Sequence, residues 1–185
     1  MRTARPTALA VSAVAALLLP VLTSCSDAEG GGTDDRGDGA ACRIGGSGTE
    51  VAASPAPAAG DTGTVTVTLT NRGSECVLEG FPTVTLLVDG ASKEIGREEG
   101  ATARRLTLAE DAAASFTLTY VRGEDDGAGL DVRTARFALP GASATQDIPW
   151  SYGAVATKDG DGGGDEGAAE GEPDATVSAF QQMGD

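Results

Sequence analysis

Histidine is absent from this chain. With it go the most frequent general base of acyl-transfer sites and the most frequent metal ligand. Methionine is confined to Met1 and Met183, and cysteine to Cys25, Cys42 and Cys76. Soft-metal carriage draws on His, Met and Cys, so it is disfavoured. No Gly-x-Ser-x-Gly element and no cluster with metal-ligand spacing occurs. Cations are scarce as well: 13 Lys and Arg stand against 28 Asp and Glu, a formal net charge of −15. Nucleic acid and anionic headgroups require cationic patches, so no nucleic-acid partner is expected. Long hydrophobic runs are also wanting. The predominantly apolar stretch Ala8 to Leu22 has fifteen residues and contains Pro20. A membrane-spanning helix needs about 20, and a proline interrupts helical hydrogen bonding.

What is there begins with an export signal. Arg2 and Arg5 precede the apolar stretch, and "LTSC" (Leu22 to Cys25) follows it. An aliphatic residue, two small ones and a cysteine resemble the lipobox of bacterial lipoproteins. That resemblance implies cleavage between Ser24 and Cys25, a diacylglyceryl thioether at Cys25, and N-acylation of the new terminus. An ordinary secretory signal with a chance cysteine is the alternative. A single acyl chain binds a bilayer marginally and two anchor it stably, at about 0.8 kcal/mol per buried methylene. The expected location is therefore the extracytoplasmic face of the bacterial cell membrane, with the cytoplasmic membrane as partner through the lipid. Apart from that covalent lipid, no cofactor is expected.

Cys42 and Cys76 remain, and in an oxidising compartment an even pair is most simply a disulfide. It would close a loop 34 residues long, worth about 3–4 kcal/mol on the chain-entropy model. A catalytic thiol is the sharper alternative, but it needs a base and the chain has no histidine.

Composition divides the chain. Residues 1–24 form the lipoprotein signal peptide, and their removal leaves 28 acidic against 11 basic side chains. Residues 25–40 include "SDAEGGGTDDRGDGA", with no apolar side chain larger than alanine, and read as a flexible acidic tether. Residues 158–173 include "KDGDGGGDEGAAEGE" and read as a second disordered segment. Between them, residues 41–157 are only mildly acidic and long enough for one core. Residues 174–185, with Val177 and Phe180 as the apolar positions of "DATVSAFQQ", read as a candidate closing strand and tail.

Inside 41–157 the period is two. In "TVTVTLTN", Val65, Val67 and Leu69 point one way and the threonines the other. Val84, Leu86 and Val88 alternate up to the hairpin signal Asp89-Gly90. Phe116, Leu118 and Tyr120 share one face, and Phe137, Leu139, Ile148 and Trp150 are candidate core. Turns recur every eight to fifteen residues and no long helical period appears. The fold class expected is all-β, an antiparallel β-sandwich with disordered acidic flanks.

"LTNRGSECVLEGFP" carries a further resemblance. A first cysteine (Cys42), a strand ending Leu69-Thr70-Asn71, a turn, then Cys76, Leu78, Gly80, Phe81 and Pro82 resemble the actinobacterial secreted proteins and lipoproteins grouped as domain of unknown function 4232. Leu106 to Tyr120 resembles the family's later segment, with Glu110-Asp111 where Pro-Gly is commoner. The resemblance implies an immunoglobulin-like sandwich and no established activity.

Individual motifs have local readings. Gly80 permits an unusual φ, and Pro82 forces Phe81 into an extended conformation. Phe81 then packs on the disulfide or lies exposed as a contact. Asn71 reads as a turn former. "REEGATARR" (Arg97 to Arg105) reads as an exposed loop. Asp159 to Glu170 matches a calcium loop at Asp159, Asp161, Gly164 and Glu170, but position five is Gly163 and no amphipathic helix flanks it; a solvated linker is the plainer reading. The function expected is a membrane-anchored, non-catalytic binding module engaging an unidentified envelope protein or polymer. A passive structural surface lipoprotein and a weak calcium-binding envelope protein are the alternatives. Catalysis would require a carboxylate pair, as in glycoside cleavage. No catalytic residue and no metal ligand is assigned.

Overall fold

The computed structural model describes residues 39–55, 57–124, 129–158 and 171–184. Ser24, Cys25, the tether up to residue 38 and the acidic tract Asp159 to Glu170 lie outside the described residues. Among the described residues, no helix is long and apolar enough to cross a membrane.

After a 3-10 turn at Ile44–Gly46, the strands are β1 (Ser47–Ala53), β2 (Thr62–Asn71), β3 (Cys76–Leu78), β4 (Thr83–Val88), β5 (Ala91–Glu94), β6 (Gly96–Arg97), β7 (Leu106–Leu108), β8 (Ala113–Val121), β9 (Val132–Ala138), β10 (Thr145–Pro149), β11 (Ala175–Val177) and β12 (Gln181–Gln182). One sheet has the order β1-β2-β8-β11-β6, with β12 also paired to β8. A second has the order β10-β9-β4-β5, and β3-β7 form a short ribbon. The molecule is a β-sandwich.

Alternation builds its core. Val65, Val67 and Leu69 of β2 are buried, and so are Ala114, Phe116, Leu118 and Tyr120 of β8. From the opposite sheet come Val84 and Leu86 of β4 and Ala135 and Phe137 of β9. Phe116 meets Phe137 edge-on across the sandwich, centroids 5.4 Å apart. On the wet face, Thr66 and Thr117 share a hydroxyl hydrogen bond of 3.2 Å between paired positions of β2 and β8.

One irregularity resets the pattern. Leu87 pairs with Thr134 but Val88 pairs with Val132, so Arg133 is an extra residue in β9. The bulge lets both Val132 and Ala135 face the core. It turns Arg133 out to Asp89, whose carboxylate accepts from Nε at 2.9 Å and from Nη2 at 3.1 Å. Asp89-Gly90 makes the β4–β5 turn with Gly90 at φ +77. At the turn before β8, Asp111 adopts φ +64, a left-handed conformation that Gly takes freely and Asp tolerates.

The sheet continues past the acidic tract. Ala175–Val177 pairs antiparallel with Leu118–Tyr120 and parallel with Gly96–Arg97. Ala175, Val177, Ala179 and Phe180 are buried. The chain re-enters through a closed neck: Lys158 N–H donates to Glu172 O at 2.8 Å and Asp174 N–H to Ala156 O at 2.7 Å.

Candidate functional site

Cys42 and Cys76 are joined, with Cα atoms 5.0 Å apart. Both are 8 % exposed. The entering segment is stitched beside the bond, Cys42 N–H to Val77 O at 3.0 Å and Val77 N–H to Ala40 O at 2.9 Å. The disulfide is thus a structural corner where the chain enters the sandwich.

Asn71 is the one buried polar residue of the described core, 6 % exposed. Its Oδ1 accepts from Gly73 N–H at 3.0 Å, the turn-forming role expected of it. Its Nδ2 reaches further, donating to Ser74 O, Leu108 O and Ala109 O at 2.9, 3.0 and 3.1 Å. Backbone bonds reinforce the link, Asn71 N–H to Ala112 O and Asp111 N–H to Asn71 O. Asn71 therefore ties the β2 turn to the β7–β8 turn. That long-range role was not legible from its local motif.

Gly80 has φ +117, and a Cβ there would lie 3.3 Å from Pro140. Pro82 is buried and Phe81 half-buried. The Phe81 ring lies under the Arg97 guanidinium, 4.9 Å from its centroid, an arrangement favoured by the ring's negative face. The stack on Arg97 is a contact that the sequence alone did not name. The pairing of β6 with β11 fixes where Arg97 stands, and that pairing spans about eighty residues of chain.

Arg97 leads to the largest concavity described, an open groove of about 700 Å³. One wall is the Glu98-to-Leu106 loop, with Glu98, Glu99 and Arg104; the other is the chain from Ser178 to Gln182, with Phe180 and Gln182. β6 covers only Thr176 and Val177 of the C-terminal segment, and Glu98 N–H closes the pairing on Val177 O at 2.9 Å. A turn then carries the chain off the edge, with Ala101 N–H on Glu98 O and Gly100 at φ +73. The groove opens beside the stretch left behind.

β12 pairs with β8 alone. Met183 N–H donates to Ala113 O at 3.0 Å, and Gln182 is paired with Ala114. In an antiparallel ladder that places the N–H and C=O of Gln182 outward. The Ser178 hydroxyl is already engaged, accepting from Thr117 N–H at 2.9 Å and donating to Ala179 O at 3.0 Å. The groove thus offers hydrogen-bonding backbone and charged walls, which are binding chemistry. "REEGATARR" and "DATVSAFQQ" supply its two walls, and only folding brings them together.

Elsewhere, surface carboxylates pair with arginine. Arg133 holds the Asp89 carboxyl below its ordinary value through a hydrogen bond and charge. Arg136 does the same for Asp147, at 2.6 and 2.9 Å. Among the described residues no group of three or more His, Cys, Asp or Glu is placed to hold a metal ion.

No curated protein and no solved structure matches the chain. The family model described as Domain of unknown function (DUF4232) matches residues 42–181. The match starts at the first half-cystine and ends within β12, so it takes in the Glu98-to-Leu106 wall and the other wall up to Gln181. The chain belongs to the DUF4232 family.

Proposed function

We propose that this protein is a lipid-anchored lipoprotein of the cell envelope whose β-sandwich is a non-catalytic binding module. The groove between the Glu98-to-Leu106 loop and Ser178 to Gln182 is its binding face. One observation carries the reading: a sheet edge with outward backbone groups borders a groove of about 700 Å³, within the about 300–1,000 Å³ of ligand clefts. Both cysteines of the domain are held in a disulfide and the chain has no histidine, which favours binding over catalysis.

The lipobox at Leu22 to Cys25 supports the anchor. From Cys25 to Cys42 the chain advances seventeen residues, a reach of at most about 60 Å when fully extended. The module would stand within that distance of the outer face of the cytoplasmic membrane and meet an envelope protein or polymer there.

Two measurements in the native host test this. Intact mass of the membrane-extracted protein should show a chain starting at Cys25 and carrying acyl chains. A photo-crosslinking residue at Thr102 or Gln182 should give an adduct that the same residue at Ser92, on β5, does not. An unacylated mature chain removes the anchor. Equal yields from all three positions remove the groove as the binding face and leave a passive surface protein.

A further inference from the structure

We infer that the groove binds an extended polypeptide segment, added as a further strand beside Ser178 to Gln182. This rests on the groove being the binding face. The sheet itself defines the site. One strand position beyond β11 and β12 is occupied by β6 along Thr176 and Val177 and becomes groove along the rest. Of that stretch only Gln181–Gln182 is itself strand, so a segment laid there would pair with the sheet at β12 and run on past Ser178 to Phe180, which is not strand. Gln182 presents an outward N–H and C=O to it, and main-chain pairing of this kind supplies affinity without sequence.

Side chains would supply the selectivity. A strand's residues alternate between the two faces of a sheet. On the inner side of the groove lies the half-buried Leu106, and on the rim the exposed Glu98 and Glu99 against the single cation Arg104. The segment that fits alternates apolar and polar residues and carries a basic residue toward the two glutamates. A sugar polymer fits less well, because Phe180, the aromatic residue among those lining the groove, is 4 % exposed and offers no open ring face. Guarded edges in sheet proteins use Lys, Pro or a covering segment. Here the edge residues are Gln181 and Gln182, whose amides donate and accept.

The test uses the full mature chain and three synthetic seven-residue peptides of alternating Val and Thr. The first carries a central Lys, the second a central Glu, and the third is the Lys peptide N-methylated at alternate backbone nitrogens. Binding is read by calorimetry and by amide hydrogen exchange at Phe180 and Gln182. The Lys peptide should bind at least tenfold more tightly than either of the others and slow exchange at Gln182. Gln182→Pro, which removes the outward N–H, should weaken it about tenfold. Glu98→Lys with Glu99→Lys, both exposed positions, should reverse the preference to the Glu peptide while leaving the unfolding midpoint in place.

Equal binding of the N-methylated peptide overturns strand addition. So does a sedimentation profile in which the chain pairs with a second copy through this edge and excludes the peptides. If groove crosslinks form in cells but are to polysaccharide, the polypeptide inference fails while the groove stands as the binding face. If Thr102 and Gln182 give no adduct above Ser92, the groove itself fails.

Discussion

The Phe180 ring stands edge-on to Phe116, their centroids 5.5 Å apart and the planes at 85°. Phe116 meets Phe137 in the same manner from the other sheet. Rings from β8, β9 and the chain between β11 and β12 thus share one centre, and the C-terminal segment supplies one of them. Edge-to-face aromatic pairs add about 0.5–1.5 kcal/mol beyond burial. Residues after the acidic tract are therefore part of the core.

Phe180→Ala should cost about 3–5 kcal/mol in urea unfolding, as large-to-small core changes do. Hydrogen exchange at Gln181 and Met183, which face β8, should quicken more than exchange in β2. Uniform quickening would show that the segment and the sandwich open as one unit.

Asn71 offers a test with a sign. Asn71→Ala leaves the carbonyls of Ser74, Leu108 and Ala109 without their shared donor and should cost about 2–3 kcal/mol. Asn71→Asp should be worse at neutral pH, because an ionised carboxylate brings no proton to three carbonyl oxygens. Its folded pKa would be raised above the unfolded value, so relative stability should recover as pH falls through that raised value and level off by about pH 4. Thermal midpoints of both variants between pH 3 and 7 check this.

Replacing Cys42 and Cys76 together by alanine removes a cross-link between positions 34 apart. The expected loss is about 3–4 kcal/mol, seen as a lower denaturation midpoint with a steeper slope, because the freed unfolded chain exposes more surface. Dithiothreitol on the folded protein should act slowly, since both half-cystines are 8 % exposed.

Asp111 at φ +64 forms an exposed ion pair with Arg72 at 2.6 Å. Asp111→Gly frees the backbone of a left-handed residue and loses only that surface pair, so stability should move by no more than about 0.5 kcal/mol. Asp111→Val, with a β-branched side chain in that conformation, should lose about 1–3 kcal/mol. The contrast between the two, measured by calorimetry, isolates backbone strain from charge.

Asp89 and Asp147 have their carboxyl pKa values lowered by Arg133 and Arg136. A carboxyl lowered in the folded state stabilises above its unfolded value and loses that contribution as pH falls through the folded one. The thermal midpoint should therefore drop from about pH 4 downward. Asp89→Asn with Asp147→Asn should flatten that limb, and added salt should shrink the difference because the pairs are exposed.

What the sequence by itself determined is local or chemically unique. Strands β2, β4 and β8 follow from side chains alternating at a period of two, and that pattern needs no partner to be read. Asp89-Gly90 and Gly80 declare their turns through backbone freedom. Cys42 and Cys76 are joined in the structure, as two sulfurs in an oxidising compartment lead one to expect. Tertiary structure alone decided the parallel pairing of β6 with β11, the Arg97–Phe81 stack, the bulge at Arg133 and the reach of Asn71 to Leu108. It also made the groove, whose walls come from segments about eighty residues apart. Strand pairing is chosen by which edges are free once the core has closed, and two or three residues such as Gly96-Arg97 carry too little pattern to announce a partner.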